Sequence, residues 1–169
     1  RSDAISNLTA TATGVAGAAD ADAGDTSASV IAINASDLSI GGSANTTAVA
    51  ASTLNATASS TAGAATADAF QTGDGILNSK IGIGNDGIVI GQSTLVGTAA
   101  ATTVGASGYP DPATANLDLL SSGIDQASGD TIVIGDTGNV TGNGFASGSA
   151  VAQSTYGAAT ATGDVQVQG

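Results

Sequence analysis

Asp20, Asp22 and Asp25, in the segment DADAGD, are the densest group of ionisable side chains in the chain. Hard divalent cations take several carboxylate and carbonyl oxygens, so this segment is a candidate Ca²⁺ site. It lacks EF-hand spacing and no Glu closes it, and a solvated acidic turn would use the same residues. A second candidate is IGIGNDGIV, residues 81–89. Gly82, Gly84, Asp86 and Ile88 match the nine-residue calcium repeat G-G-x-G-x-D-x-U-x, with Ile81 replacing the first Gly. In that repeat each ion is shared between consecutive turns, and here the motif stands alone, so it also reads as a Gly-rich turn before a strand. Asp20, Asp22, Asp25 and Asp86 are thus the candidate metal ligands, and Ca²⁺ is the one cofactor the sequence suggests.

Other chemistries lack their residues. The chain has no His and no Cys, and all 14 acidic residues are Asp. That removes the usual zinc sites, thiolate nucleophiles and Ser-His-Asp triads, so no enzyme is expected. Arg1 and Lys80 are the only basic side chains against a net charge of −12, which argues against nucleic acid and anionic membranes. No stretch approaches the roughly 20 apolar residues of a membrane span. The runs Thr9-Thr11-Thr13 and Thr160-Thr162 resemble the outward Thr ranks of ice-binding β-solenoids, although Thr also simply suits strands. Asn7, Asn34, Asn45, Asn55 and Asn139 stand in N-x-S/T sequons, so glycans are possible partners.

The elements that would position these groups come from internal repetition. Residues 8–23, LTATATGVAGAADADA, match residues 54–69, LNATASSTAGAATADA, at 11 of 16 positions without gaps. Residues 150–161 match residues 56–67 at 9 of 12, and a weaker copy spans residues 95–107. The aligned glycines Gly17, Gly63, Gly105 and Gly157 are separated by 46, 42 and 52 residues. An Ile-rich motif alternates with these blocks: DLSIGG from Asp37, DGIVIG from Asp86 and DTIVIG from Asp130. The chain therefore reads as one array with approximate units 1–46, 47–92, 93–136 and 137–169. Residues 108–120, which hold both prolines, read as an inserted loop or plain linker. Beginning at Arg1 without a signal-peptide pattern, the chain is expected to be a processed or excised piece of a longer protein.

Large apolar residues are few, at 12 Ile, 11 Val, 8 Leu and 2 Phe, so the core is expected to be thin and lined by Ala. Ala alternates with Thr or Asp at period two, and Ile31 and Ile33, Ile81 and Ile83, and Ile132 and Ile134 are likewise two apart. Period two predicts strands with Ala or Ile on one face, and the Gly, Asn and Asp that follow each run predict turns. The expected fold is all-β, a β-solenoid or β-helix-like stack of repeats, with a β-sandwich subunit joined by donor-strand exchange as the alternative. In the stack, Ile40, Ile90 and Ile134 are expected to form an inward ladder, with Gly41, Gly91 and Gly135 at turns.

The blocks LTATATGVAGAADADAG and TASSTAGAATADAF, with DLSIGG and DGIVIG between them, resemble the Ala/Gly/Thr/Asp-rich repeats of very long surface or fibre proteins of marine cyanobacteria and their phages. That resemblance implies an extracellular filament, surface layer or virion fibre, assembled from copies of itself. The alternative role is an adhesin, or an ice-binding or calcium-binding module.

Overall fold

The computed structural model describes residues 1–25, 27–78, 80–106, 110–126 and 131–168. Its regular elements are twelve strands: β1 (Ser2–Gly14), β2 (Ala19–Ala23), β3 (Ser29–Ala35), β4 (Leu38–Ile40), β5 (Asn45–Ser60), β6 (Ala65–Asn78), β7 (Lys80–Ile83), β8 (Ile88–Thr103), β9 (Ala113–Asp125), β10 (Thr131–Ile134), β11 (Asn139–Ser154) and β12 (Ala159–Gln168). All described strand pairs are parallel, and they form three sheets. Sheet A has the order β1-β5-β8-β11, sheet B the order β12-β9-β6-β2 with β3 also on β6, and sheet C the order β10-β7-β4.

All-β structure is therefore right, but the expected β-solenoid is corrected: three separate parallel sheets form, and they do not make a clear solenoid. The physical reason is strand length. The strands of sheet A run on for 13 to 16 residues, β1 and β8 with alternate side chains turned inward throughout, and they pair sideways into a broad sheet, whereas the sequence predicts short strands with a corner after each. The β-sandwich alternative also fails. Such sandwiches are built from antiparallel strands, whereas every pair here is parallel.

Sequence repetition sets the register. Leu8 lies beside Leu54 and Ala19 beside Ala65, the pairing given by the ungapped alignment. Inward rows across sheet A run Ala10-Ala56-Ala99-Ala150 and Ala12-Ala58-Ala101-Ala152. Rows across sheet B run Ala19-Ala65-Ala113-Ala159 and Ala21-Ala67-Ala115-Ala161. Apart from Ala159 and Ala161, which are exposed on β12, these rows from both sheets join one cluster, and an Ile-rich cluster of Ile76, Ile81, Ile83 and Val89 lies where the three sheets meet.

Bulk is exchanged between the facing sheets. The row Leu8-Leu54-Gly97-Gly148 in sheet A faces Ala23-Ala69-Leu117-Gly163 in sheet B. A Cβ on Gly97 would stand 2.6 Å from Leu117 Cδ1, and one on Gly148 would stand 2.2 Å from Leu117 Cδ2. Where sheet B carries Leu117, sheet A has glycine; where sheet A carries Leu54, sheet B has Ala69. Leu117 thus fills the space over both Gly97 and Gly148, as close packing requires, although the last position of each row, Gly148 and Gly163, is glycine.

Two further expectations are corrected. Residues 113–120 are not loop: they begin β9, because Ala113, Ala115, Leu117 and Leu119 alternate inward; residues 107–109 lie outside the described residues. Gly91 is not at a turn. It is buried inside β8, where a Cβ would meet the Gly123 carbonyl oxygen at 2.2 Å.

Candidate functional site

The outer face of sheet B gathers carboxylates. On β2 the inward Ala19, Ala21 and Ala23 leave Asp20 and Asp22 facing out. Parallel pairing then sets Asp22 beside Asp68 of β6, and Asp68 beside Asn116 of β9. Carboxylate oxygens of Asp20, Asp22 and Asp68 all lie within 4.8 Å of one another, an arrangement that can hold a metal ion. Asn116 Nδ2 donates to Asp68 Oδ1 at 2.8 Å. Partial desolvation, and then the charges of Asp20 and Asp68, push the Asp22 carboxyl above its ordinary value. A bound cation would relieve that repulsion.

Two proposed ligands stand elsewhere. Asp25 does not join the cluster; its Oδ1 accepts from the Ser27 hydroxyl at 2.6 Å and from the Ser27 backbone N–H at 2.7 Å. Those bonds favour the charged form and lower its pKa. Asp86 sits in the turn between β7 and β8 with φ of 60°, and its carboxylate accepts from the Thr137 hydroxyl. Sequence reading missed Asp68. The signal was present, because the alignment of residues 8–23 with 54–69 already matched Asp22 to Asp68.

The ladder residues divide between sheets. Ile40 and Ile134 both pair with Ile83, in sheet C. Ile90 pairs with Thr47 and Thr141, in sheet A. The three motifs therefore do not stack on one another. DGIVIG begins at Asp86, within the turn 84–87 and after β7 has left sheet C, so the residue beside Leu38 and Ile132 in sheet C is Ile81 of the preceding IGIG. Gly41 and Gly135 do lead into turns that mirror Gly84, with the Gly84 N–H on the Ile40 oxygen and the Gly135 N–H on the Ile83 oxygen. Asp130 lies outside the described residues.

Sheet A differs in charge from sheet B. Its four strands contain one acidic residue, Asp3, which pairs with Arg1 at 2.9 Å. Thr9, Thr11 and Thr13 face outward there, but the rows behind them read Asn55-Thr98-Ser149, Thr57-Ala100-Val151 and Ser59-Thr102-Gln153. Thr160 and Thr162 stand on β12, in the same rows as Asp20 and Asp22 respectively. All five sequon asparagines are exposed. No protein-family model, no curated protein and no solved structure matches the chain.

Proposed function

We propose that this chain is a structural protein, a subunit or repeat segment of an extracellular filament, surface layer or virion fibre, which assembles end to end with copies of itself. One observation carries the reading: among the described residues, sheets A and B each finish in edge strands with no further strand paired to them. β1 and β11 are the edge strands of sheet A, and β2 and β12 are edge strands of sheet B. Long unpaired edges are templates for further pairing. A copy set beyond β11 and β12 would bring Ala10 and Ala12 against Ala150 and Ala152, continuing rows the chain already builds.

Charge selects the polarity of that contact. Head to tail, Thr160 and Thr162 of one copy meet Asp20 and Asp22 of the next, hydroxyl donors against carboxylates. Head to head, Asp20 and Asp22 would meet their own counterparts, which like-charge repulsion opposes. A head-to-tail contact that continues the strand rows of sheets A and B along one direction adds copies without closing a ring, which gives open filaments. Exposed sequons suit a glycosylated, extracellular product, and the absence of His, Cys and Glu from the sequence suits a role without catalysis.

Electron microscopy of the native protein across a concentration series tests this. Filaments are expected, and substoichiometric Ala152→Lys protein, blocked at one end, should shorten them. Wild-type protein that stays monomeric at every concentration would sink the proposal. A second reading, a calcium-binding module of the adhesin kind, is favoured by the Asp20, Asp22 and Asp68 cluster. Its test is the same series with and without a chelator, together with the melting temperature in Ca²⁺.

A further inference from the structure

The two broad sheets turn chemically different faces to solvent. Outward on sheet B stand Asp20, Asp22, Asp68, Asp118 and Asp164. Outward on sheet A the strands carry one charged group, Asp3, and Arg1 pairs with it. The rest of that face is hydroxyl, amide and aliphatic. Its rows include Ile5-Ala51-Thr94-Phe145, Asn7-Thr53-Val96-Ser147 and Thr11-Thr57-Ala100-Val151. Val96 is 40% exposed on β8, which has a strand on either side, so its exposure belongs to the face and not to an edge. Ile5, 74% exposed, and Phe145, 54% exposed, stand in the neighbouring row. Between Ile5 and Val96 the small side chain of Ala51 leaves a hollow of about 100 Å³.

We propose that the outer face of sheet A is a dimerisation surface, which packs on the same face of a second copy about a two-fold axis. Charge selects this pairing from three. Sheet B on sheet B sets carboxylates against their own counterparts. Sheet A on sheet B buries those carboxylates with no cation to pair them. Both arrangements are costly. Sheet A on sheet A leaves the two acidic faces outermost, as far apart as the pair allows. Hydrogen bonding favours the same choice. Thr, Ser, Asn and Gln each donate and accept, so a face built from them is complementary to itself, as an isologous contact demands. An ionised carboxylate only accepts.

The size of the face agrees. At about 4.8 Å between strands and about 3.3 Å per residue, four strands matched over the 13 residues of β1 offer about 800 Å². Two such faces bury about 1,600 Å², the amount typical of a stable protein–protein contact. This contact uses a face, whereas end-to-end assembly uses edges, so neither depends on the other. Asn7 and Asn55 are sequon positions on the same face, and a glycan on either would hold the copies apart. The test therefore uses protein without glycans.

Sedimentation velocity of the full chain carrying Ala152→Lys, which blocks end-to-end growth, reads the face alone. Dimers are expected. They should tighten as salt rises to about 0.5 M, because each copy carries a net charge of −12 and salt screens the repulsion. Adding Val96→Lys buries an unpaired charge and should weaken the dimer roughly tenfold or more. Thr114→Lys, on the outer face of sheet B, should not weaken it. Ala152→Lys protein that folds by circular dichroism yet stays monomeric at every concentration would overturn the proposal, as would dimers indifferent to Val96→Lys. Should Val96→Lys fail to fold, Ile5→Lys, at a more exposed position of the same face, replaces it. Should Ala152→Lys fail to fold, wild-type protein decides. Its filaments should be two molecules thick in electron micrographs or, where no filaments form, the chain should be dimeric in solution. Filaments one molecule thick or a monomeric wild type refute the face contact. Dimers without filaments refute end-to-end growth and leave the face contact standing.

Discussion

Asp86 and Thr137 exchange two hydrogen bonds across neighbouring turns. The Asp86 N–H donates to Thr137 Oγ1 at 2.9 Å, and the Thr137 hydroxyl donates to Asp86 Oδ1 at 2.6 Å. Beside them the Asp136 N–H donates to Asn85 Oδ1 at 3.1 Å. These turns follow β7 and β10, so side chains continue between the turns the contact that the backbone makes in sheet C. Asp86 adopts a left-handed φ of 60°, which Asp and Asn tolerate better than most residues. Thr137→Val should lower stability by about 1 kcal/mol in urea unfolding. Asp86→Gly should cost less, because glycine relieves the backbone as the bond is lost. Equal losses in the two variants would contradict this account.

Glycine positions are separable by what stands over them. Gly91→Ala drives a Cβ to 2.2 Å from the Gly123 carbonyl oxygen, a backbone atom that cannot rotate away. Gly82→Ala meets nothing within 4 Å and removes unfolded-state entropy. Gly91→Ala is expected to cost about 1–3 kcal/mol or more by overpacking, and Gly82→Ala to be neutral or to stabilise by about 0.5 kcal/mol. Urea midpoints of the two variants give the comparison, and a Gly91→Ala protein as stable as wild type would refute the close approach.

How far the sequence specified this depended on which contacts repeat. Register was legible: identities between residues 8–23 and 54–69 name the pairs Leu8 with Leu54 and Asp22 with Asp68. It slipped where repetition thinned. Gly105 was aligned with Gly63, yet Ser60 pairs with Thr103, one residue out of step. The Ile motifs misled because IGIG and IVIG look alike on the two sides of one turn, so Ile90 seemed equivalent to Ile40. How the sheets meet was not legible at all. Gly97 opposite Leu117 is a relation between residues of different sheets, and neither position carries a local sign of the other.

That relation can be tested by moving the bulk. Leu117→Ala should cost about 2–5 kcal/mol by opening a cavity. Gly97→Leu alone should also destabilise, because its side chain would collide with Leu117. Combined, the two changes reproduce the arrangement of Leu54 with Ala69, and the double variant should be markedly more stable than the sum of the single losses. A double-mutant cycle in urea measures the coupling, and simple additivity would refute the exchange of volume between sheets.

Cation binding should be strongest where the carboxylates converge. Ca²⁺ is expected to raise the melting temperature, with the effect reduced in Asp22→Asn and Asp68→Asn. Asp25→Asn should respond like wild type, since its carboxylate is held by Ser27. Because Asp22 is shifted upward, the calcium response should also fade as pH drops through the carboxylate range. Calorimetric titration of the four proteins decides, and equal loss in Asp25→Asn would return the site to the DADAGD segment alone.

Asp74 gives the chain an unusual pH dependence. It lies on β6, 7% exposed, and burial, followed by the charge of Asp125, raises its pKa from 3.8 to about 6. Below the unfolded value both states hold the proton and the group contributes no pH dependence. Between that value and about 6 the unfolded chain releases the proton while the folded chain retains it, so stability falls as pH rises. Above about 6 the folded state carries a buried charge and the full penalty, on the order of 2–3 kcal/mol from the size of the shift. Asp74→Asn keeps the shape and removes the ionisation. It should therefore stabilise the protein at pH 7.5, match wild type near pH 3.5, and flatten the slope of stability between those values. Unfolding midpoints measured across that range give the answer: a variant with the wild-type slope would mean that Asp74 ionises in the folded chain as freely as it does in the unfolded one.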